Sequence, residues 1–353
     1  MRLLNRYIAT TVLGSVAVVL LVIVGLDAIS ALVDELGNIS QSYNFTEILI
    51  YIGLTLPGRI YEQIPMSALI GCLVGLGLLA ASSELTVMRA AGASVWRITW
   101  GVMKPVLLFI LLGIALGEYV IPLTDQIADS RRAMAQGESQ ALQSRDGMWN
   151  REGNEFMHFN AVLPNGKLYG VTRYQFDENN KLIASSFAKS AIYQGDHWLE
   201  QDVRQTNLTP EGTSLVNYPI RQWSSTIDPA VLNVLVLNPD ELSIRSLYTY
   251  ANYQDAQKVD SKEYQLAFWK KLLQPLATAS LVLIAVSFIF GPLRSVTMGY
   301  RIFSGVIVGI VFRTSQDLLG PASLVFGFSP LIAVLAPLLV CFCVGVYLLR
   351  KAN

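Results

Sequence analysis

The residues that could carry out chemistry are few and widely spaced. The chain of 353 residues contains two histidines, His158 and His197, and three cysteines, Cys72, Cys341 and Cys343. None of them has the paired spacing of a zinc site, and the zinc-peptidase motif H-E-x-x-H does not occur. The phosphate-binding motif G-x-x-x-x-G-K-[ST] does not occur either. We therefore expect no catalytic residue, no metal site and no cofactor in this chain.

Composition and charge exclude other classes of protein. The chain is 52% hydrophobic and 15% charged, and its mean hydropathy is +0.43, which is typical of a membrane protein. Its formal net charge of +0 lacks the basic excess of a nucleic-acid-binding protein, so we expect no nucleic-acid partner. A membrane-anchored enzyme is an alternative class, but it would need a nucleophile and a base within reach, and the sequence offers no such pair.

Apolar runs of about 18 to 25 residues predict six membrane-spanning helices. They extend over about 8–33, 64–82, 100–121, 266–290, 300–319 and 331–349. The segment 46–60 is also apolar, but Pro57 and Pro65 interrupt the sequence there, which predicts an interfacial or kinked lead-in to the second span. A cleaved signal peptide is the alternative for the first run, and the length of that run favours an uncleaved span.

Basic residues near the short loops predict the orientation. Arginine and lysine occur at the amino terminus, in the loops 82–99 and 291–301, and at the carboxyl terminus, whereas the loop after the first span carries Asp34 and Glu35. Both termini are therefore expected in the cytoplasm, and the interval 124–263 outside it.

The interval 124–263 has the pattern of an all-β domain. Alternating segments such as "NEFMHFNAV", "KLYGVTRYQF" and "LNVLVLN" are separated by turn signals such as "PNG" and "DENN". Their spacing favours a sandwich or a jelly roll without choosing between them. The segment 239–253, "PDELSIRSLYTYANY", predicts a helix capped by Asp240 that leads back to the membrane.

These patterns predict a polytopic α-helical membrane protein with six transmembrane helices and an inserted extracytoplasmic all-β, jelly-roll-like domain. Residues 1–123 would hold the first three spans, residues 124–263 the β domain, and residues 264–353 the last three spans.

A short amphipathic stretch, "SSELTVMRAAGAS" at 82–94, separates the second and third spans. Ser83 can cap a helix, and Glu84 would lie in its first turn, where the helix dipole favours a carboxylate. This predicts a helix within 83–96. The residues that follow one face at spacings of three and four are Leu85, Met88, Gly92 and Val95. The stretch is either a connector on the inner membrane surface or a coupling helix that docks on a separate ATPase.

Three segments resemble a known family. They are "SELTVMRAAGAS" after the second span, "GEYVIPLTDQ" at the end of the third, and "SFIFGPLRSVTMGYRI" between the fourth and fifth. They are similar to the YjgP/YjgQ permeases of the lipopolysaccharide-export transporter, and the resemblance covers essentially the whole chain. Of the two paralogous subunits, "FGPLRSVTMG" resembles the G subunit more than the F subunit.

The resemblance implies a permease subunit of an ABC transporter in the bacterial inner membrane, with its β domain in the periplasm. Its partners would be a paralogous permease, a cytoplasmic ATPase dimer that binds ATP and Mg, and a single-span periplasmic bridge subunit. The complex would extract lipopolysaccharide from the outer leaflet and pass it to the bridge. The residues implied to contact the ATPase are Glu84, Leu85, Met88, Arg89 and Gly92.

Cations near the outer ends of the spans predict a site for lipid phosphates, because charge-assisted hydrogen bonds to phosphate favour arginine. The candidates are Arg131, Arg132, Arg59, Lys270 and Lys271. The alternative is that these side chains extend to lipid headgroups without selecting a ligand. Asp34 and Glu35 would repel phosphate, so the end of the first span is not expected to take part.

Charged residues inside the spans predict structural pairing. Arg313 and Asp317 lie four residues apart near the outer end of the fifth span, so they can pair on one helix face. Asp27 and Glu118 are expected either to face basic groups of another subunit or to lie exposed at the membrane interface.

Two G-x-x-x-G patterns predict close helix packing, Gly71 with Gly75 and Gly305 with Gly309. Ordinary glycine frequency in membrane helices is the alternative. A second function also stays open, that of an ATPase-driven mechanotransmission protein that does not itself carry lipid.

Overall fold

The computed structural model describes residues 2–39, 43–141, 148–162, 167–210, 212–225, 238–256, 260–291 and 296–352. The chain divides into two compact units. The first consists of Met1–Val33, Thr55–Leu123 and Glu241–Asn353, and the second of Asp34–Leu54 and Thr124–Asp240.

Helices account for most of the described chain. In order they are α1 (Arg2–Leu36), α2 (Phe45–Ala81), α3 (Glu84–Ala90), α4 (Val95–Ala115), a π-helical turn (Leu116–Val120), α5 (Ile121–Ala141), α6 (Ile244–Ala256), α7 (Lys262–Phe290), α8 (Met298–Phe326) and α9 (Pro330–Ala352). Within the described residues, six helical segments are long and apolar enough to cross a membrane. The predicted number of spans is confirmed.

Helix α2 is continuous over 37 residues and runs through both Pro57 and Pro65. The segment predicted as a lead-in at 46–60 is therefore part of the second helix. A proline removes the N–H that would bond the carbonyl four residues earlier. The carbonyl of Tyr61, which Pro65 leaves without this donor, accepts a hydrogen bond from Gln274 Nε2 of α7 at 3.0 Å. A neighbouring helix thus satisfies the backbone group that the proline frees.

The core of the first unit joins residues of α1, α2, α4 and α7. Its fully buried side chains include Ile8, Val12, Leu69, Leu73, Leu76, Ile98, Val102 and Val282. Since lipid tails are as apolar as leucine, close packing rather than removal from water favours these contacts. Gly71 permits two helix backbones to approach closely here, because a Cβ at this position would lie 2.5 Å from the Val16 Cα.

The second unit contains an antiparallel sheet of six strands in the order β1-β2-β3-β4-β5-β6. The strands are β1 (Met148–Glu152), β2 (Glu155–Val162), β3 (Lys167–Phe176), β4 (Leu182–Tyr193), β5 (Trp198–Thr209) and β6 (Gly212–Trp223). The inserted all-β domain is confirmed. Each described strand pairs with the next in sequence, so the described strands follow one another across the sheet as an antiparallel meander.

The strands predicted from alternation correspond to those observed. "NEFMHFNAV" contains β2 and "KLYGVTRYQF" is β3. The segment "LNVLVLN", apart from Asn238, and the turn "PNG" lie outside the described residues. The strands of the sheet contribute the residues of a hydrophobic cluster. Its fully buried members include Met157, Phe159, Leu168, Val171, Ala191 and Trp198.

Helices occupy both ends of the interval 124–263 that was predicted as the β domain. At its start, α5 extends to Ala141, so the described strands begin only at Met148. At its end, Asp240 lies in a 3₁₀ turn, Pro239–Glu241, and α6 begins at Ile244. Asp240 is thus too early in the chain to cap α6, and Ser243 Oγ instead accepts a hydrogen bond from the Ser246 N–H at 3.1 Å.

Candidate functional site

The predicted coupling helix is α3, and it is shorter than the range 83–96. Ser83 precedes it with φ 62°, a left-handed conformation, and its side chain makes no capping hydrogen bond. The prediction that Ser83 caps the helix is therefore wrong, since a capping side chain normally requires an extended backbone. Ser82 takes a related position, and its hydroxyl donates to Glu84 Oε1 at 2.9 Å.

Gly92 ends α3. Its φ of +86° is the left-handed conformation that favours glycine. The Gly92 N–H bonds the Arg89 carbonyl at 3.0 Å, and the Ala93 N–H bonds the Met88 carbonyl at 3.1 Å. These are the two hydrogen bonds of a Schellman motif, completed by the buried side chains of Ala93 and Met88. Gly92, predicted as an ATPase contact, thus has a local structural role that needs no partner.

The apolar face of α3 packs on the first unit itself. Leu85 is 4% exposed and Met88 7% exposed, and both belong to the core cluster of this unit. The contact with an ATPase predicted for these two residues does not fit their burial. Of the four residues predicted on one helix face, only Leu85 and Met88 belong to α3, because the helix ends at Ala90, before Gly92 and Val95. Spacing alone also does not say what the apolar face contacts.

The outward face of α3 carries different residues. Val87 is 66% exposed and was not predicted as a contact. Glu84 is half-buried, and Arg89 lies with its guanidinium 5.9 Å from the centre of the Phe290 ring. A partner that docks on α3 would therefore meet Val87, with Glu84 and Arg89 beside it.

Two of the three arginines predicted to bind phosphate, Arg131 and Arg132, are paired with carboxylates of the second unit. Arg132 Nη2 lies 2.8 Å from Glu35 Oε1, and Arg131 Nη2 lies 3.2 Å from Glu47 Oε1. Glu35 was predicted to repel phosphate and to stay away from such a site. Instead it is buried beside Arg132, and the hydroxyl of Tyr43 donates to its Oε2 at 3.2 Å.

This cluster also contains a polar group without a hydrogen bond and a perturbed phenol. The Nε of Arg132 is buried and has no hydrogen-bond partner among the described residues. Its guanidinium carbon lies 5.1 Å from the centre of the Tyr51 ring. Burial, and then the negative charge of Glu35, raise the pKa of Tyr43 to about 12, so its hydroxyl stays a hydrogen-bond donor.

The other predicted phosphate ligands are placed in the first unit. Arg59 Nη1 lies 2.6 Å from Asp27 Oδ2, so Asp27 has a partner within its own chain. Lys271 is 6% exposed and donates to the Leu242 carbonyl at 2.7 Å, which removes it from any headgroup surface. Its neighbour Lys270 is half-buried. Of the five predicted cations, Arg131 and Arg132 are thus brought together and Lys271 is not available.

The predicted pair inside the fifth span is close enough to interact. Arg313 Nε lies 3.9 Å from Asp317 Oδ2, and Arg313 Nη2 lies 3.6 Å from Glu62 Oε2 of α2. All three side chains are more than half exposed. Glu62 was missed because it belongs to a different helix.

Both predicted packing glycines of α8 face α2. A Cβ at Gly305 would lie 2.3 Å from Leu73 Cδ1, and one at Gly309 would lie 3.3 Å from the end of Met66. These neighbours are ends of flexible side chains, whereas Gly71 meets the backbone of Val16. The stricter requirement for glycine is therefore at Gly71.

Comparison with known proteins identifies the family. The family model of the lipopolysaccharide export system permease LptF/LptG matches residues 6–351. The chain belongs to this family. It is 36% identical over 354 residues to the lipopolysaccharide export system permease protein LptG of Escherichia coli strain K12, covering 99% of this chain and 98% of the relative. It is 34% identical over 337 residues to LptG of Haemophilus influenzae strain ATCC 51907, covering 95% and 94%.

The resemblance found in the sequence is thereby confirmed, and so is its closer similarity to the G subunit, since these relatives are named LptG. Membership in the LptF/LptG family agrees with the six long apolar helices and the inserted sheet. The chain is a multi-pass membrane protein and a lipopolysaccharide export permease.

One basic residue of the loop 291–301, Arg301, was expected only to favour the cytoplasmic side. Arg301, at the start of α8, is buried and donates to the Gly77 carbonyl of α2 at 3.1 Å. A Cβ at Gly77 would lie 2.7 Å from Met298 Sδ. The sequence offered one signal for this contact, a glycine inside the second span, Gly77, and an arginine at the start of the fifth, Arg301.

A buried charge network in the sheet was also missed. Glu200 of β5 is 0% exposed and accepts from Arg173 Nη1 of β3 at 3.1 Å and from Arg221 Nε of β6 at 2.7 Å. Arg173 also contacts Glu155 Oε1 of β2 at 2.6 Å. The carboxylate is thus fully paired, as a buried charge must be.

The two histidines lie apart, His158 in β2 and His197 in the turn before β5. The ring centres of His158 and Trp149 lie 4.9 Å apart with the rings tilted by 52°, and His197 Nδ1 lies 2.5 Å from Asp196 Oδ1. Within the residues that the structure describes, no group of three or more histidine, cysteine, aspartate or glutamate side chains could hold a metal ion.

Proposed function

We propose that the chain is a permease subunit that extracts lipopolysaccharide from the outer leaflet of the bacterial inner membrane and passes it to a periplasmic bridge. It acts with a paralogous permease, a single-span bridge subunit and a dimer of a cytoplasmic ATPase that binds ATP and Mg. Both termini face the cytoplasm and the sheet faces the periplasm. Family membership and the distribution of basic residues support this assignment.

The observation that carries the coupling to an ATPase is the seating of α3. Leu85 and Met88 fix this helix to the core of the first unit, and the Schellman motif fixes its end. Force applied to the exposed Val87 is therefore transmitted to the core instead of bending a loose connector. Because Val87, Glu84 and Arg89 combine an apolar centre with charges of both signs, they suit a protein partner.

The observation that favours lipid binding is a hydrogen-bond donor of Arg132 that has no acceptor among the described residues. Its Nε has a buried N–H without a hydrogen bond among the described residues, so a phosphate oxygen would satisfy it. A phosphate would at the same time have to compete with Glu35 and Glu47 for the two guanidinium groups. The arginines are therefore positioned for phosphate but restrained by carboxylates.

The same ion pairs favour a second candidate function. If Arg131 and Arg132 serve only to hold Glu47 and Glu35, the chain transmits the work of the ATPase without itself carrying lipid. In that case the two arginines are structural, and replacing them would change stability without changing lipid contact.

Purification of the chain from membranes in mild detergent separates these functions. Mass spectrometry should detect an ATPase, a second permease and a lipid A-bearing glycolipid with the wild-type chain. An ATPase without the glycolipid would favour mechanotransmission. If neither co-purifies, the proposed function is wrong.

Substitutions in α3 test the coupling surface. Val87→Glu should abolish co-purification of the ATPase while leaving the melting temperature unchanged, because Val87 lies outside the core. Val87→Thr is the matched control, since it keeps the shape of the side chain. Leu85→Ala should instead destabilise the fold by about 2 to 5 kcal/mol. Normal ATPase association of Val87→Glu would remove α3 as the docking site.

A further inference from the structure

After the strands, the chain re-enters the first unit at Glu241. The buried ammonium group of Lys271 holds the segment that follows. Leu242 is buried, and its carbonyl accepts a hydrogen bond from Lys271 Nζ at 2.7 Å. The ammonium also lies 5.7 Å from the centre of the Tyr61 ring. A lysine withdrawn from solvent thus fixes one backbone group of the returning segment.

A carboxylate fixes the other side of this segment. Glu118 Oε2 accepts from the Ile244 N–H at 2.9 Å, although the two residues are 126 apart in sequence. Ile244 is the first residue of α6, and the first N–H groups of a helix lack partners within it. The positive end of the helix dipole also favours a carboxylate there. Glu118 therefore caps α6 from a different span, beside the local cap Ser243.

Glu118 lies in the middle of the π-helical turn between α4 and α5. A π turn contains one residue more than an α turn, and such turns occur frequently at functional sites. Gly117, next to Glu118, packs so tightly that a Cβ would lie 3.0 Å from the Tyr61 ring. Loss of the extra residue would rotate the flanking helix by about 100°, the angle per residue of an α-helix, and would move Glu118 away from Ile244.

We propose that Glu118 and Lys271 are positioning residues that hold the returning segment, Leu242–Ile244, to the third and fourth spans, so that rotation of the third span displaces the chain entering α6. The inference rests on the proposed ATP-driven export. It assigns to these two residues the transfer of movement from the spans to the chain that leads to the sheet, separate from the docking of the ATPase on α3.

The test uses the complete complex in proteoliposomes and measures ATP hydrolysis and release of lipopolysaccharide to the bridge in the same sample. Glu118→Ala and Lys271→Met should hydrolyse ATP at the wild-type rate but release lipid about tenfold more slowly, as the loss of a charge-assisted hydrogen bond implies. Glu118→Gln should be intermediate, because its amide oxygen still accepts from Ile244. The double variant should be no worse than the more impaired single variant, since both residues hold one segment.

Tyr119→Ala is the matched control, because Tyr119 lies in the same π turn and is 76% exposed. A parallel fall in ATP hydrolysis, lipid release and melting temperature would reduce Glu118 and Lys271 to ordinary packing residues. Wild-type lipid release by both variants would also overturn the proposal. If the wild-type complex itself releases no lipid with ATP, the proposed function fails instead.

A distance measurement checks the same inference without transport. Spin labels at Tyr119 and Tyr248, both exposed, report the separation of the π turn and α6. In the wild-type complex this distance should keep one narrow distribution with and without ATP. In Glu118→Ala it should broaden when ATP is added. A narrow distribution in Glu118→Ala would show that this carboxylate does not hold α6.

Discussion

Replacing Glu35 by glutamine should strengthen the binding of phosphorylated lipid. The carboxylate lies 2.8 Å from Arg132, and the two side chains are 10% and 33% exposed. A hydrogen bond between charged groups in such a partly buried place contributes about 1.5 to 3 kcal/mol. A phosphate that takes over Arg132 must offset this contribution. Glutamine keeps the shape and the acceptor for Tyr43 but removes the charge, so affinity should rise by about 1.4 kcal/mol, or about tenfold.

The structure also predicts the order of related variants. The Arg131 and Glu47 side chains are 49% and 26% exposed, so Glu47→Gln should release only about 0.2 to 1 kcal/mol, less than about fivefold in affinity. Asp34→Asn is the charge-matched control, since Asp34 is exposed and belongs to none of the ion pairs among the described residues.

The assay is binding of lipid A with and without its phosphates to the purified complex, measured by native mass spectrometry. The gain for Glu35→Gln should appear only with the phosphorylated lipid. It should also persist at high salt better than the gain for Glu47→Gln, because the more buried pair is less screened. If Glu35→Gln binds no more tightly than Asp34→Asn, Glu35 does not compete with phosphate and the argument fails.

Three further predictions concern stability. Gly71→Ala should destabilise the chain by about 1 to 3 kcal/mol in thermal unfolding, because its Cβ meets backbone. Gly53→Ala in the same helix meets nothing within 4 Å and should instead stabilise it by up to about 1 kcal/mol, since alanine favours a helix over glycine. Glu200→Ala should cost about 3 to 5 kcal/mol in denaturant unfolding, since it removes the buried carboxylate that pairs with both Arg173 and Arg221; a cost below about 1 kcal/mol would contradict this. The raised pKa of Tyr43 favours the neutral phenol, so its contribution to stability should be present below pH 10 and lost as pH rises through about 12. The difference in tyrosinate absorbance between wild type and Tyr43→Phe measures this ionisation. Ionisation of Tyr43 near pH 10 would refute the prediction.

The parts of the fold that the sequence predicts are those set by local patterns. Hydropathy alone predicts six spans because each must satisfy its backbone within one continuous apolar run. Alternation predicts β3, because residues on one face of a strand recur with a period of two. The continuation of α2 through Pro65 was missed, since the donor that compensates for this proline, Gln274, belongs to a distant helix.

The functional residues were harder to predict, because their partners are distant in sequence. Arg131 and Arg132 were predicted as phosphate ligands from their charge and their position beyond the third span, but nothing near them in sequence indicates their carboxylate partners Glu35 and Glu47. Lys271 was placed at a headgroup surface because it is charged and close to the end of a span, whereas its acceptor is a backbone carbonyl. A backbone acceptor has no residue type, so no sequence pattern could reveal it.

Pro65 of α2 has a consequence for engineering the stability of the protein. By lacking an N–H, Pro65 leaves the Tyr61 carbonyl to Gln274 of the fourth span. Replacement by alanine would let the helix recapture that oxygen and would strand the glutamine amide in an apolar setting. A change that improves the isolated helix would thus loosen the attachment between two spans. Helix propensity predicts that alanine at position 65 stabilises the protein, whereas the contact between the spans predicts the opposite. The carbonyl that Pro65 leaves without a donor is what joins α2 to α7.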